Sequence, residues 1–242
     1  VNSINWARII AQSVYYFYCY FLIKDKSEPI NFSVPTGNFG DVYAGYLAKR
    51  IGLPVNKFIV ATNQNDILHR AISNGNYYVE NVLETISPSM DIQIASNFER
   101  LIYDLNDQND KKTIDVMKRI KQIGKYEIDK ENLDKIHVDF VSSRMDENEV
   151  LNTIKTVYKK FDKVLDPHSA IGYGAFDKVN LKGNNIVLAT AHPCKFPSAI
   201  EKAINIKAEL PDKLAFILNE KENYDIIDND LNKIKKHIKE RV

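Results

Sequence analysis

Cysteine is nearly absent from this chain. Cys19 and Cys194 are the only two in 242 residues, both in apolar or motif surroundings. Two thiols build neither a disulfide framework nor a structural zinc site, so a reducing, cytoplasmic compartment is the default expectation. Charge of one sign is missing as well. Against 33 Lys and Arg stand 32 Asp and Glu, which leaves no basic footprint for nucleic acid and no acidic tail. A long hydrophobic run is missing too. The apolar stretch 9–23 carries Gln12 and Ser13, ends at Lys24-Asp25-Lys26, and falls short of the roughly 20 residues a membrane span needs. Its four tyrosines and the lack of a small-residue cleavage site argue against a signal peptide. A buried helix is expected there, and no membrane partner. There is no GxSxG nucleophile elbow, no GxGxxG, no GxxxxGK[ST], no internal repeat and no low-complexity linker, which disfavours hydrolase, dinucleotide and nucleoside-triphosphate readings.

What is present is concentrated in residues 33–41, Ser-Val-Pro-Thr-Gly-Asn-Phe-Gly-Asp. A β-branched, apolar run at 30–34 meets a Pro-Thr-Gly-Asn turn. From Phe39 onward Val42, Tyr43, Tyr46, Leu47 and Ile51 recur at helical spacing. A strand, a glycine turn and a helix N-terminus leave several backbone N–H groups pointing at one spot, backed by the positive end of the helix dipole. Such a spot holds a phosphate without a basic side chain. On spacing alone an ordinary strand–helix joint, with Asn38 and Asp41 as a capping box, stands beside that reading.

The rest of the chain repeats the plan. Residues 57–62 read as a buried strand, followed by a polar loop at 63–66 and a helix through Ala71. Residues 95–124 read as two helices broken at 106–110. A strand is expected at 137–143, a helix capped by Asp146 at 146–161, a last strand at 184–190 and an amphipathic helix at 229–240. The alternation points to parallel βαβ units with ligands at the strand C-terminal ends. A chain of this length buries a sizeable core in one or two domains. The expected fold class is α/β: three layers, a mostly parallel sheet with helices on both faces, and a small helical insertion.

Four segments carry a family resemblance. Pro35-Thr36-Gly37-Asn38-Phe39-Gly40-Asp41 resembles the cofactor-phosphate loop of threonine synthases, pyridoxal-phosphate enzymes of the tryptophan-synthase-β-like fold (fold type II). Asn2-Ser3-Ile4-Asn5-Trp6-Ala7-Arg8 with the tyrosine-rich 15–20 is similar to the helix before that loop in the longer fungal and enterobacterial branch. Asp166-Pro167-His168-Ser169-Ala170-Ile171-Gly172 and Thr190-Ala191-His192-Pro193-Cys194-Lys195-Phe196-Pro197 are similar to two late segments, in family order. The resemblance implies pyridoxal 5'-phosphate as cofactor. It implies cofactor contacts from Gly37, Asn38, Phe39 and Asp41, and a hydroxyl from Thr190 for the ring nitrogen. It also implies conversion of O-phospho-L-homoserine and water to L-threonine and phosphate. No catalytic residue is assigned, because the Schiff-base lysine is expected upstream of Val1. Lys24 and Lys195 are read as solvated loop and turn lysines. The chain is therefore expected to be an inactive C-terminal fragment whose partner is the missing N-terminal lobe. The expected division is 1–94 as core of the cofactor domain, 95–160 as helical insertion, and 161–242 as the remainder. Asn63, Asn65, Asp66 and His168 stand at strand or helix ends, where pocket residues and turn or cap residues both occur. A related phospholyase acting on another γ-phosphorylated amino acid, or a non-catalytic binding module, fits the same residues.

Overall fold

The computed structural model describes residues 5–241; Asn2, Ser3 and Ile4 of the N-terminal resemblance lie outside the described residues. The chain divides into two units, Val1–Ala208 and Glu209–Val242. In order, the first unit contains α1 (Trp6–Leu22), β1 (Ile30–Pro35), α2 (Gly40–Arg50), β2 (Lys57–Thr62), α3 (Ile67–Asn74), β3 (Asn76–Tyr78), α4 (Phe98–Leu105), α5 (Asp110–Ile123), β4 (Lys125–Glu127), α6 (Lys130–Asp139), β5 (Phe140–Arg144), α7 (Glu147–Phe161), α8 (Pro167–Val179), β6 (Asn184–Val187) and α9 (Pro197–Ile204). The second unit holds a 3-10 stretch, Asp212–Asn219, and α10 (Leu231–Lys239), which Asp230 caps by accepting from the amides of Asn232 and Lys233.

Four strands form a sheet in the order β5-β2-β1-β6, every pair parallel. The residues of β1 and β2 are almost wholly buried, as a parallel sheet covered on both faces requires. Side-chain alternation sorts them into two cores. Phe32, Val34, Phe58 and Val60 join Phe39, Phe98 and Phe140 in one. Ile59 and Ala61 join Met145, Ile154, Ile171 and Ile200 in the other. Helix α8 crosses the second face at close range, its Gly172 carbonyl accepting from Ser33 Oγ at 2.6 Å. A Cβ at Gly172 would come within 2.9 Å of the Pro35 ring. The three-layer α/β expectation holds.

Three expectations change. Helix α1 buries only Ile9 and Tyr16, leaving Ile10, Val14, Tyr15, Tyr18, Phe21 and Leu22 exposed. Its apolar residues run all round the helix, so one stripe packs on α2 and the rest faces outward. The strand expected at 137–143 starts at Phe140, because α6 continues through Asp139. That strand lies inside the supposed helical insertion 95–160, yet it pairs with β2 in the main sheet. Residues 95–160 thus do not stand apart. Phe140 is one of the aromatic residues that fill the first core. Asp146 does cap α7, in a full capping box with Glu149. No helix among the described residues is long and apolar enough to cross a membrane.

Candidate functional site

The chain leaves β1 for β2 on one side of the sheet and later returns with β6 on the other. The space beyond the C-terminal ends of β1 and β6 is therefore a topological switch point, where open α/β sheets seat ligands. A cleft of about 730 Å³ opens there, lined by Gly37, Asn38 and Asp41 from the β1 side, Thr190 from the β6 side, and His168 and Lys195.

The loop at 36–41 is tied down from behind. Thr36 donates its amide to Ala61 O and its hydroxyl to Val34 O, and the carbonyl of Asn38 accepts from Asn97 N at 3.0 Å. Phe39 sits in the left-handed region, φ 66°, as the N-cap of α2, with no side-chain cap bond. Its ring is fully buried between Phe98 at 5.1 Å and Phe140 at 5.7 Å. Asn38 Oδ1 accepts from Gly40 N at 2.9 Å. The Asn38–Asp41 capping box is absent, since the N-cap is Phe39 and Asn38 instead closes a local Asx turn. The amides of Gly37, Asn38, Phe39 and Asp41 find no acceptor among the described residues. Unpaired N–H groups at a helix N-terminus, in a bend that alternates backbone hands, make an anion-binding concavity.

Asp41 stands in the first turn of α2 and lines the cleft. Tyr16 reaches it from α1, donating its hydroxyl to Asp41 O at 2.8 Å and Oδ1 at 3.2 Å. Burial pushes the carboxyl up to about 6, against the opposing pull of the Tyr16 hydrogen bond. A folded-state value above the unfolded one, about 3.9, means that the folded chain binds the extra proton. This contribution to stability is complete below about pH 4 and lost as pH rises through about 6. Raising the pH from 5 to 8 should thus cost the wild-type protein about 1.4 kcal/mol more than Asp41→Asn. Urea midpoints at the two pH values measure it; parallel losses in both proteins would show that Asp41 titrates as an exposed carboxyl.

The β6 side rests on the start of α8. Asp166, fully buried, caps that helix through the amides of His168 at 2.9 Å and Ser169 at 3.4 Å. The Ser169 hydroxyl donates to Asp166 Oδ2 and accepts from Thr190 N at 3.0 Å. The chain beyond Val187 is irregular, so the strand expected through Thr190 ends three residues sooner. Ser169 replaces the sheet as the anchor of Thr190, whose side chain is exposed at the cleft.

The family profile described as threonine synthase, C-terminal, matches residues 169–238. The threonine synthase of Pseudomonas aeruginosa is 43% identical over 97% of this chain and 50% of its own length. A crystal structure of pyridoxal-phosphate-bound threonine synthase from Brucella melitensis superposes with TM-score 0.94 at 41% identity, covering 99% of this chain and 52% of that one. The yeast threonine synthase structure gives 0.89 at 36%, with 99% and 53% covered. The chain belongs to the threonine synthase family. It spans about half the length of the threonine synthases it matches.

Within this chain, the remaining sequence candidates separate. Asn63 and Asn65 turn away into a polar cluster: Asn63 Nδ2 donates to Thr85, Ser87 and Asp91, and Asn65 Nδ2 to Leu83 O and Asp91. Asp66 pairs with Arg70 at 2.8 Å and Arg144 at 3.3 Å. Those three are loop-building residues. Lys24 lies outside the cleft lining, and Lys195 lines the cleft as an exposed side chain. Sequence reasoning missed Asp166, Ser169 and Tyr16 as supports of the site. The Asp-Pro-His-Ser string holds the first two, in the helix-cap pattern of an acceptor before proline. Nothing local marks Tyr16, 25 positions from Asp41.

Proposed function

We propose that the cleft seats pyridoxal 5'-phosphate and that the protein carrying this chain is a threonine synthase, converting O-phospho-L-homoserine and water to L-threonine and phosphate. The observation that carries this reading is the group of unpartnered amides at 37–41, opening into a cleft that Thr190 also lines, three residues beyond the end of β6. The residues fit the group. An anion at the α2 N-terminus meets donors that nothing else among the described residues satisfies.

In this assignment the amides of Gly37, Asn38 and Phe39 hold the phosphate, and Asp41 fixes the helix end against Tyr16. A bare carboxylate beside a phosphate would repel it; the elevated affinity of Asp41 for its proton relieves that repulsion near and below pH 6. The Thr190 hydroxyl meets the ring nitrogen, with Ser169 holding its backbone. The bound cofactor supplies an electron sink for charge developing on the substrate carbons. Lys195, exposed in a turn, lacks the desolvation that an imine-forming lysine needs, so the 242 residues by themselves should turn over no substrate.

The test is an assay of threonine and phosphate formation from O-phospho-L-homoserine, run on the full-length protein with added cofactor and on the 242-residue chain. Threonine from the former and none from the latter is the expected result. Phosphate without threonine would make the protein a phospholyase. Robust turnover by the 242 residues alone would overturn the assignment of the catalytic lysine to another segment.

A further inference from the structure

His168 is buried, its side chain 7% exposed, in the wall of the cleft. Its Nδ1 faces Asp166 Oδ1 at 3.1 Å. Burial works against the charge on Asp166, yet hydrogen bonds from His168 and Ser169 hold its carboxyl below the usual range. An ionised carboxylate only accepts, so Nδ1 carries the proton that faces Asp166, and in an imidazole with a single proton Nε2 is then left with a bare lone pair. That nitrogen has no hydrogen-bond partner among the described residues. The Phe196 ring, centroid 4.9 Å away, packs on the imidazole and limits its rotation. Capping α8 needs only Asp166, so the cap leaves the buried lone pair unexplained. The other such orphan among the described residues, Thr62 Oγ1, is not in the lining of this cleft.

We propose that His168 is a substrate-contacting residue of this cleft, presenting Nε2 as an acceptor to an N–H or O–H donor of a bound amino acid. Asp166 is its positioning residue. One buried carboxylate thereby governs both walls of the site: through Nδ1 it fixes the tautomer of His168, and through the Ser169 hydroxyl it fixes the backbone of Thr190. The identity of the donor as an amino-acid substrate rests on the function proposed above; the tautomer and the accepting role of Nε2 do not.

The experiment takes the full-length protein, labelled with ¹⁵N at histidine, and reads the His168 tautomer from long-range proton–nitrogen correlations, with assignment by loss of the signal in His168→Gln. The Nδ1–H tautomer is expected, and an Nε2–H tautomer would overturn the proposal whatever the variants do. Kinetics with O-phospho-L-homoserine supply the second arm. Gln keeps an acceptor near the Nε2 position, so His168→Gln should stay within about fivefold of wild-type kcat/KM, whereas His168→Phe should fall at least about fiftyfold. Both variants should keep the absorbance band of bound pyridoxal phosphate. Equal losses in the two variants would overturn the accepting role. A wild-type protein that never develops the cofactor band would instead strike the proposed function and leave the tautomer result standing.

Discussion

Gly37→Ala should lower the affinity of the full-length protein for pyridoxal phosphate by at least about tenfold while leaving its far-ultraviolet circular dichroism unchanged. A Cβ at Gly37 would lie 2.9 Å from Ser89 O and 3.1 Å from Met90 Cα. Both are backbone atoms, so no rotamer change makes room and the loop itself must move. The 88–90 turn, whose Ser89 and Met90 line the same cleft, is held by its own closing bonds, Met90 N to Ser87 O and Asp91 N to Pro88 O. Displacement therefore falls on the 36–39 loop and misaims the amides of Gly37, Asn38 and Phe39. Hydrogen bonds to a charged group are worth about 1.5–3 kcal/mol each. Losing the alignment of one accounts for a tenfold change, since about 1.4 kcal/mol is a factor of ten. Titration of the apo-protein, followed by absorbance, gives the constant. Unchanged affinity would mean that the phosphate is held elsewhere, and the proposed site would go with it.

How far the sequence shows this site depends on whether the cause is local. The phosphate-loop candidate was legible because a strand, a glycine turn and a helix start each leave a pattern within ten residues. The break at 106–110, the Asp146 cap and the C-terminal helix were legible for the same reason. What failed was anything set by distant packing. Period-2 alternation cannot say that β5 slots beside β2, because pairing joins segments some 80 positions apart. Strand propensity in Ile-Val-Leu-Ala-Thr says nothing of where the neighbouring strand stops: β1 pairs with β6 only through Val187, and Ser169 then takes over the backbone. The outward face of α1 misled for a related reason. Composition reports that a residue is apolar, and only the neighbours decide whether it is covered. The cleft position itself follows from strand order, which no linear pattern prints.

The residue that joins fold to site is Phe39, and its substitutions should separate two energies. Truncating a fully buried phenylalanine costs about 3–5 kcal/mol, and Phe39→Ala forfeits the contacts with Phe98 and Phe140. Phe39 also holds φ at 66°, a conformation that an L side chain adopts at a cost of roughly 1–2 kcal/mol and glycine adopts freely. Phe39→Gly loses the same contacts but sheds that strain, so it should be less destabilising than Phe39→Ala, by about 1 kcal/mol after glycine's larger unfolded-state entropy is subtracted. Urea denaturation of the two variants decides the order. Alanine equal to or better than glycine would show that the left-handed turn is not imposed on residue 39. The helix N-terminus would then be free to relax, and the fan of amides would not be a fixed feature of the fold. If glycine is better, the ring is the anchor that holds a strained bend in place: the aromatic core drives the chain into the one local conformation that turns its amides outward to the cleft.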